Sequence, residues 1–414
     1  MVLKVAVSAD LIRGDVDTGY GKVADAFRAS FRDSAEVGAA VAVYRDGVKV
    51  VDLWGGYRNG LEKDPWQPDT MVNMFSTTKG VAALVVAVAV SRGFLSYDAK
   101  VADYWPEFAQ AGKGWDKSEV TVRQLLGHQA GLCALKPKPT LADVADPERL
   151  SPILAAQAPA WRPGSRHGYH AITLGWYESE LIRRTDPAGR TLGRFMADEV
   201  VRPLGLDLHI GLPDSVDRKR VAHVHNWVRS ETLLHLGVMP PGFVGASLNP
   251  VGLTARTIAV PRGVNPFNGD YNRDDVRAVE IPSANGIGTA RSVARMYGSA
   301  ATDGAEVGLS TDIREALTAP AISPSQGARD KVMHVDVAYS LGFCKPVPHF
   351  SFGSSEQAFG TPGFGGSFGC ADPDTGIGFA YVMNRLGFHL WSDPRELALR
   401  QALFRDVLGV RPQT

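Results

Sequence analysis

The chain has 414 residues, room for one large or up to three small domains, and its 44% hydrophobic and 21% charged content is that of a folded protein, not a disordered one. Lys plus Arg equals Asp plus Glu at 44 each; zero net charge without a basic block argues against nucleic acid or an anionic membrane as the main partner. Cys133, Cys344 and Cys370 make neither a disulfide framework nor a C-x-x-C metal spacing, which fits a reducing, cytoplasmic compartment.

The first segment, MVLKVAVSADLIRGDVD, reaches Asp10 without the apolar core of a signal peptide, so no leader is expected. From Val37, VGAAVAVYRDGVKVVDLWGG sets two apolar runs around Arg45-Asp46-Gly47, and Asp-Gly between β-branched residues predicts a hairpin. Gly80 to Val90 (GVAALVVAVAV) is apolar on every side. It falls short of the roughly 18–20 residues that span a bilayer, so it predicts a helix buried all round and no membrane insertion.

VTVRQLLGHQAGL, AITLGWYESELIRR and TLGRFMADEVVRPLGL are short helical patterns punctuated by Pro and Gly. Leu236 to Tyr271 shows little periodicity and many Gly, Pro and Asn, which predicts a long ordered loop of the kind that carries function. IGFAYVMN after Thr375-Gly376 predicts a strand, and PRELALRQALFRDVLG from Pro394 predicts a terminal helix. Strands at both ends around a helical middle predict an α+β fold. Residues 1–110 and 285–414 would form one discontinuous α/β domain, and 111–284 a mainly helical insertion with the long loop.

Chemistry enters at Ser76-Thr77-Thr78-Lys79, where Ser and Lys at i and i+3 share one helical face. Burial disfavours an ammonium, so a lysine leading into an apolar helix can become a base that activates a serine. Ser76 would open that helix, with its own N–H and the helix dipole available to a developing oxyanion. The same spacing also suits a capped helix with a surface lysine. Tyr169, between a Pro-Gly turn and a helical pattern, could shuttle a proton or simply pack.

The blocks MFSTTKG, VTVRQLLGHQAGL, WRPGSRHGYHAITLGW, LDLHIGLP, IPSANGIGTARSVARMY and FGTPGFGGSFGCADP occur in that order. Together they resemble the serine β-lactamase and penicillin-binding-protein superfamily, especially family VIII carboxylesterases and class C β-lactamase-like hydrolases. The resemblance implies a β-lactamase/transpeptidase-like fold, an antiparallel sheet flanked by helices plus a helical domain, with the site between them. It implies Ser76 as nucleophile, Lys79 as its activating partner and Tyr169 as the proton-shuttling tyrosine. It also implies a third-motif strand at Thr361, Pro362 and Gly363, followed by the Phe364 N–H as second oxyanion donor beside that of Ser76.

Two departures from the superfamily pattern bear on substrate. Its second motif is usually Tyr-x-Asn, but here Tyr169-His170-Ala171 lacks the amide. Its third is usually Lys-Thr-Gly or a His or Trp variant, but Thr361 offers no positive charge. Both losses favour esters over β-lactams or peptides. A rival nucleophile elbow, Gly365 to Gly369 in G-x-S-x-G form around Ser367, lacks the following helix that such an elbow needs. His223 with His225, and His167 with His170, lack a further ligand at zinc spacing and read as packed or surface histidines, as does His128 in its helical block.

The sequence therefore predicts a serine hydrolase forming an acyl-enzyme, a carboxylesterase on small acyl esters, with no cofactor and no metal. A β-lactamase or D-amino-acid peptidase is the alternative within the enzymes, and a catalytically idle binding protein the alternative outside them. Acyl and alcohol specificity and oligomeric state are not legible in it.

Overall fold

The computed structural model describes residues 5–34, 36–110, 114–227 and 235–410. Its strands are β1 (Arg13–Val16), β2 (Gly38–Arg45), β3 (Val48–Asn59), β4 (Asp64–Pro65), β5 (Val72–Asn73), β6 (Leu208–Ile210), β7 (Gly286–Gly288), β8 (Tyr339–Ser340), β9 (Phe343–Cys344), β10 (Phe359–Pro362), β11 (Phe368–Asp372) and β12 (Ile377–Met383). The main sheet runs β1-β3-β2-β12-β11-β10-β9-β8, with β4 on β3, and its pairings are antiparallel. A small second sheet has the order β5-β7-β6. The fold is of the mixed α+β, β-lactamase/transpeptidase-like kind.

The expected hairpin is β2–β3. Asp46 at φ 51° and Gly47 at φ 78° both sit in the left-handed region, which gives the two-residue turn the twist its strands require. The expected strand at 377 is β12, which pairs with β2 from Ile377↔Arg45 to Met383↔Ala39 and so joins the two ends of the chain at mid-sheet. Because β2 is buried on both faces, it reads as an unbroken apolar run and not as an alternating one.

The helices around the site are α1 (Gly21–Asp33), α2 (Thr77–Ser91), α3 (Val122–Leu126), α4 (Thr173–Thr185), α5 (Pro241–Ser247), α6 (Leu253–Ile258), α7 (Ala290–Ala301) and α8 (Pro394–Gln401). α7 lies on β2, β11 and β12, while α1 and α8 pack together elsewhere on the domain. α8 starts where Pro394 predicts it, capped by Asp393 accepting from the Arg395 N–H at 3.1 Å. α2 is the all-apolar helix, and Thr77 through Ala89 are buried between β10, β11 and α4.

Leu236–Tyr271 departs from the loop expectation. It contains α5, α6 and short turns at Leu236–Val238, Pro266–Asn268 and Asp270–Asn272. These turns are brief and largely uncharged. α6 is held by tertiary bonds, Thr254 and Thr257 donating their hydroxyls to the Val332 and Cys133 carbonyls at 3.0 and 2.6 Å, which no amphipathic period announces.

Candidate active site

Ser76 stands where β5 runs into α2. β5 is anchored to β7, and the Met74 N–H continues the ladder by donating to the Gly286 carbonyl at 2.9 Å. Phe75 then takes φ 45°, a left-handed conformation that costs a non-glycine residue on the order of 1 kcal/mol or more, and swings the chain into the helix at Ser76. Its ring is clamped between Tyr271 at 5.2 Å and Phe364 at 5.5 Å, which holds the strained residue in place. Ser76 itself remains half-exposed on a cavity wall.

Lys79 is buried one turn along, its Nζ 3.1 Å from Ser76 Oγ, 2.6 Å from the Ala171 carbonyl and 2.9 Å from the Ser283 carbonyl. Burial drives its pKa down to about 7, opposed chiefly by the Glu178 carboxylate. This geometry assigns the amine's hydrogens. A neutral amine has two N–H groups, which the two carbonyls accept, and its lone pair is left facing the Ser76 hydroxyl.

Tyr169 closes the third side. Its ring centroid is 4.8 Å from Lys79 Nζ, and its phenol is pushed up by burial and partly held down by the Ser76 hydroxyl. Behind it, His128 Nδ1 accepts from the His170 N–H at 3.0 Å and meets His170 Nδ1 at 3.2 Å, while His170 Nε2 accepts from the Leu132 N–H at 3.1 Å. Those bonds put the shared proton on His170 Nδ1 and leave both rings neutral. The rings of Tyr169, His128 and Tyr339 pack as one layer, at 5.1, 4.5 and 6.0 Å.

Ser76, Lys79 and Tyr169 are thus together. The third-motif strand divides. Thr361 is buried with its hydroxyl beside Tyr297 Oη, where both oppose Gly80 of α2, and it does not border the cavity. Pro362 and Phe364 do border it. Gly363 must be glycine, since a Cβ there would stand 2.1 Å from Ser367 Oγ and 2.4 Å from the Met74 carbonyl. The turn after it is closed by Gly366 N–H to Gly363 O at 3.1 Å and Gly363 N–H to Ser367 O at 2.7 Å. Among the described residues, the amides of Ser76 and Phe364 donate to no protein acceptor.

Ser367 is buried and leads into β11, so it stands on no strand-to-helix elbow. His225 Nε2 accepts from the Gly60 N–H at 3.0 Å, a structural bond.

The cavity above Ser76 has a volume of about 690 Å³ and is walled largely by apolar side chains from the 236–271 segment and the aromatic row Phe364, Phe267 and Trp227. A family model described as Beta-lactamase matches residues 23–403. The chain belongs to the beta-lactamase family.

Relatives within this beta-lactamase family include the "Esterase/beta-lactamase LipL" of Mycobacterium tuberculosis, 34% identical over 90% of this chain and 83% of that one. A solved family VIII carboxylesterase superposes with a TM-score of 0.79 at 35% identity, covering 94% of this chain and 98% of that one. A penicillin-binding protein homolog from Caulobacter crescentus does so at 0.79 and 38%, with the same coverage. The protein is a serine hydrolase of this family. Among the described residues, no helix is long and apolar enough to cross a membrane.

Three features of this beta-lactamase-family site escape sequence reasoning. Glu178 of α4 is fully buried with neither oxygen bonded, and its carboxyl is pushed up to about 8 by burial. Arg395 donates to the Gly365 carbonyl at 2.8 Å and is itself bound by Glu36 and Asp393, so charges from both ends of the chain hold the turn after Gly363. The Ser283 carbonyl orients Lys79. None carries a motif, and only the polarity of Glu178 within a helix that is otherwise buried on that side hints at its place.

Proposed function

We propose that the protein is a carboxylesterase acting on small acyl esters through an acyl-enzyme at Ser76. The observation that carries this reading is the Lys79 amine, whose N–H groups are taken up by two carbonyls while its lone pair faces Ser76 Oγ at 3.1 Å. Ser76 Oγ attacks the ester carbonyl carbon and its proton passes to Lys79 Nζ. The carbonyl oxygen gathers charge between the Ser76 and Phe364 N–H groups. Tyr169 passes a proton to the departing alkoxide as the C–O bond breaks. Water then attacks the acyl carbon, losing its proton to the Tyr169–Lys79 relay, and the acid leaves as Ser76 recovers its hydroxyl.

Ester preference follows from what the second- and third-motif positions lack. Ala171 and Thr361 supply neither the amide nor the cation that a β-lactam would use, and each such loss costs ~1–3 kcal/mol in a dry site. For a p-nitrophenyl ester of short chain, kcat/KM is expected at least ~30-fold above that for nitrocefin, taking two such losses at the low end. The name of the Mycobacterium relative joins both activities, which makes β-lactam hydrolysis the second reading. Nitrocefin turnover equal to or better than the best ester's would establish that reading and overturn this one. Absence of Ser76 labelling by a fluorophosphonate probe would overturn both.

A further inference from the structure

We propose that Lys138 and Arg262 form a subsite for a carboxylate carried by the substrate, on the wall of the cavity that holds Ser76. The inference rests on the esterase reading and narrows it, from esters in general to esters with an apolar body and an anionic end.

Both side chains are exposed and both border the cavity. Their backbones run side by side, since the Arg262 N–H donates to the Pro139 carbonyl at 2.7 Å and Arg262 bridges in parallel to Thr140. The two cations are therefore held on adjoining segments, not brought together by chance side-chain motion. Among the described residues neither side chain has an ion pair or hydrogen bond. Two arginines further along the chain are instead paired. Arg273 pairs with Asp270 and Asp275, and Arg277 with Asp274.

The rest of the cavity sharpens the contrast. Among the described residues, no Asp or Glu borders it. Lys345 does, but its ammonium is taken up by the carbonyls of Leu317, Thr318 and Gln357 at 3.0–3.1 Å. His349 does too, and burial lowers its pKa, so it adds no firm charge. An apolar chamber with two neighbouring cations and no counter-ion repels a second cation and favours an anion, and the low-dielectric wall strengthens both effects relative to open water. Because the site is exposed, its effect should be modest and sensitive to salt.

The carboxylate could enter on the acyl or the alcohol side, and matched substrates separate the two. The acyl arm compares mono-p-nitrophenyl suberate with p-nitrophenyl octanoate, and the alcohol arm compares 4-acetoxybenzoate with its methyl ester. At low ionic strength the anionic member should exceed its neutral partner in kcat/KM by about five- to tenfold in one arm, mainly through KM, the scale of two exposed ion pairs. That ratio should fall toward one in the Lys138→Gln/Arg262→Gln protein and in salt of about 0.5 M. A ratio of one or less in both arms, or one that the double substitution leaves in place, overturns the subsite. If no neutral ester is turned over, the esterase reading fails. Calorimetry of suberate against octanoate on the Ser76→Ala protein then decides the subsite separately: equal affinities overturn it, and a suberate preference lost on the double substitution supports it.

Discussion

Thr77 and Ser367 meet hydroxyl to hydroxyl at 3.0 Å, across the gap between the start of α2 and the start of β11. Ser367 donates its hydroxyl hydrogen to the Met74 carbonyl at 2.8 Å, so Thr77 is the donor between the two. The pair staples the nucleophile's helix to the turn that carries Phe364. It sets the spacing of the two amides proposed to hold the oxyanion.

This assigns Ser367 a positioning role and separates it from Ser76 by experiment. Ser367→Ala leaves the buried Thr77 hydroxyl without its acceptor, at ~1–3 kcal/mol of stability, while the Met74 carbonyl keeps the Thr77 N–H. Its melting temperature should fall, while a fluorophosphonate still labels Ser76. Ser76→Ala should melt near the unmodified protein and be neither labelled nor active. Intact mass with a thermal melt checks both, and labelling that follows Ser367 would reverse the assignment.

The Lys79 amine must be neutral to accept the Ser76 proton. With its pKa depressed to about 7, kcat/KM should rise with pH through that region and level above it. Glu178 would oppose the depression where ionised, but burial pushes its own carboxyl up to about 8, so it is largely neutral across that limb. Glu178→Gln should therefore leave the acid limb in place. A limb that moves to lower pH would show that an ionised Glu178 steadies the ammonium.

His128 and His170 are buried neutral, His170 with its pKa lowered to about 3 and His128 also well below the ordinary imidazole value, burial being the main cause in each. The unfolded chain takes up protons at both below about pH 6.5 and the folded chain does not. Their contribution is therefore whole above pH 6.5 and is lost as pH falls from there toward the folded values. Urea unfolding at pH 7, 6 and 5 should show stability dropping by about 1.4 kcal/mol per pH unit for each histidine once well below 6.5. His170→Asn should flatten the slope.

Local chemistry was the legible part. Asp46-Gly47 announced its hairpin because few residue pairs accept two left-handed positions, and the apolar run after Lys79 announced a helix with no wet side. Ser76, Lys79 and Tyr169 could be placed through ordered motif blocks, although Tyr169 lies far along the chain from the other two. What stayed hidden depends on long-range packing. Glu178 reads as one more polar helical residue until α4 is laid on α2. Arg395 and Glu36 are 359 positions apart, and no period or spacing joins them. The inward turn of Thr361 follows from strand register against α2, which its tripeptide does not encode.

The pairing of β2 with β12 also bears on how this protein comes to exist. The centre of the sheet joins residues 39–45 to residues 377–383, so its middle ladder cannot close until nearly the whole chain has left the ribosome. A nascent chain would already carry Ser76, Lys79 and Tyr169, yet still lack the strand and turn that supply Phe364. Until then the apolar edge of β2 stays open to other chains, which makes the interval before release the one in which this hydrolase most needs protection from aggregation.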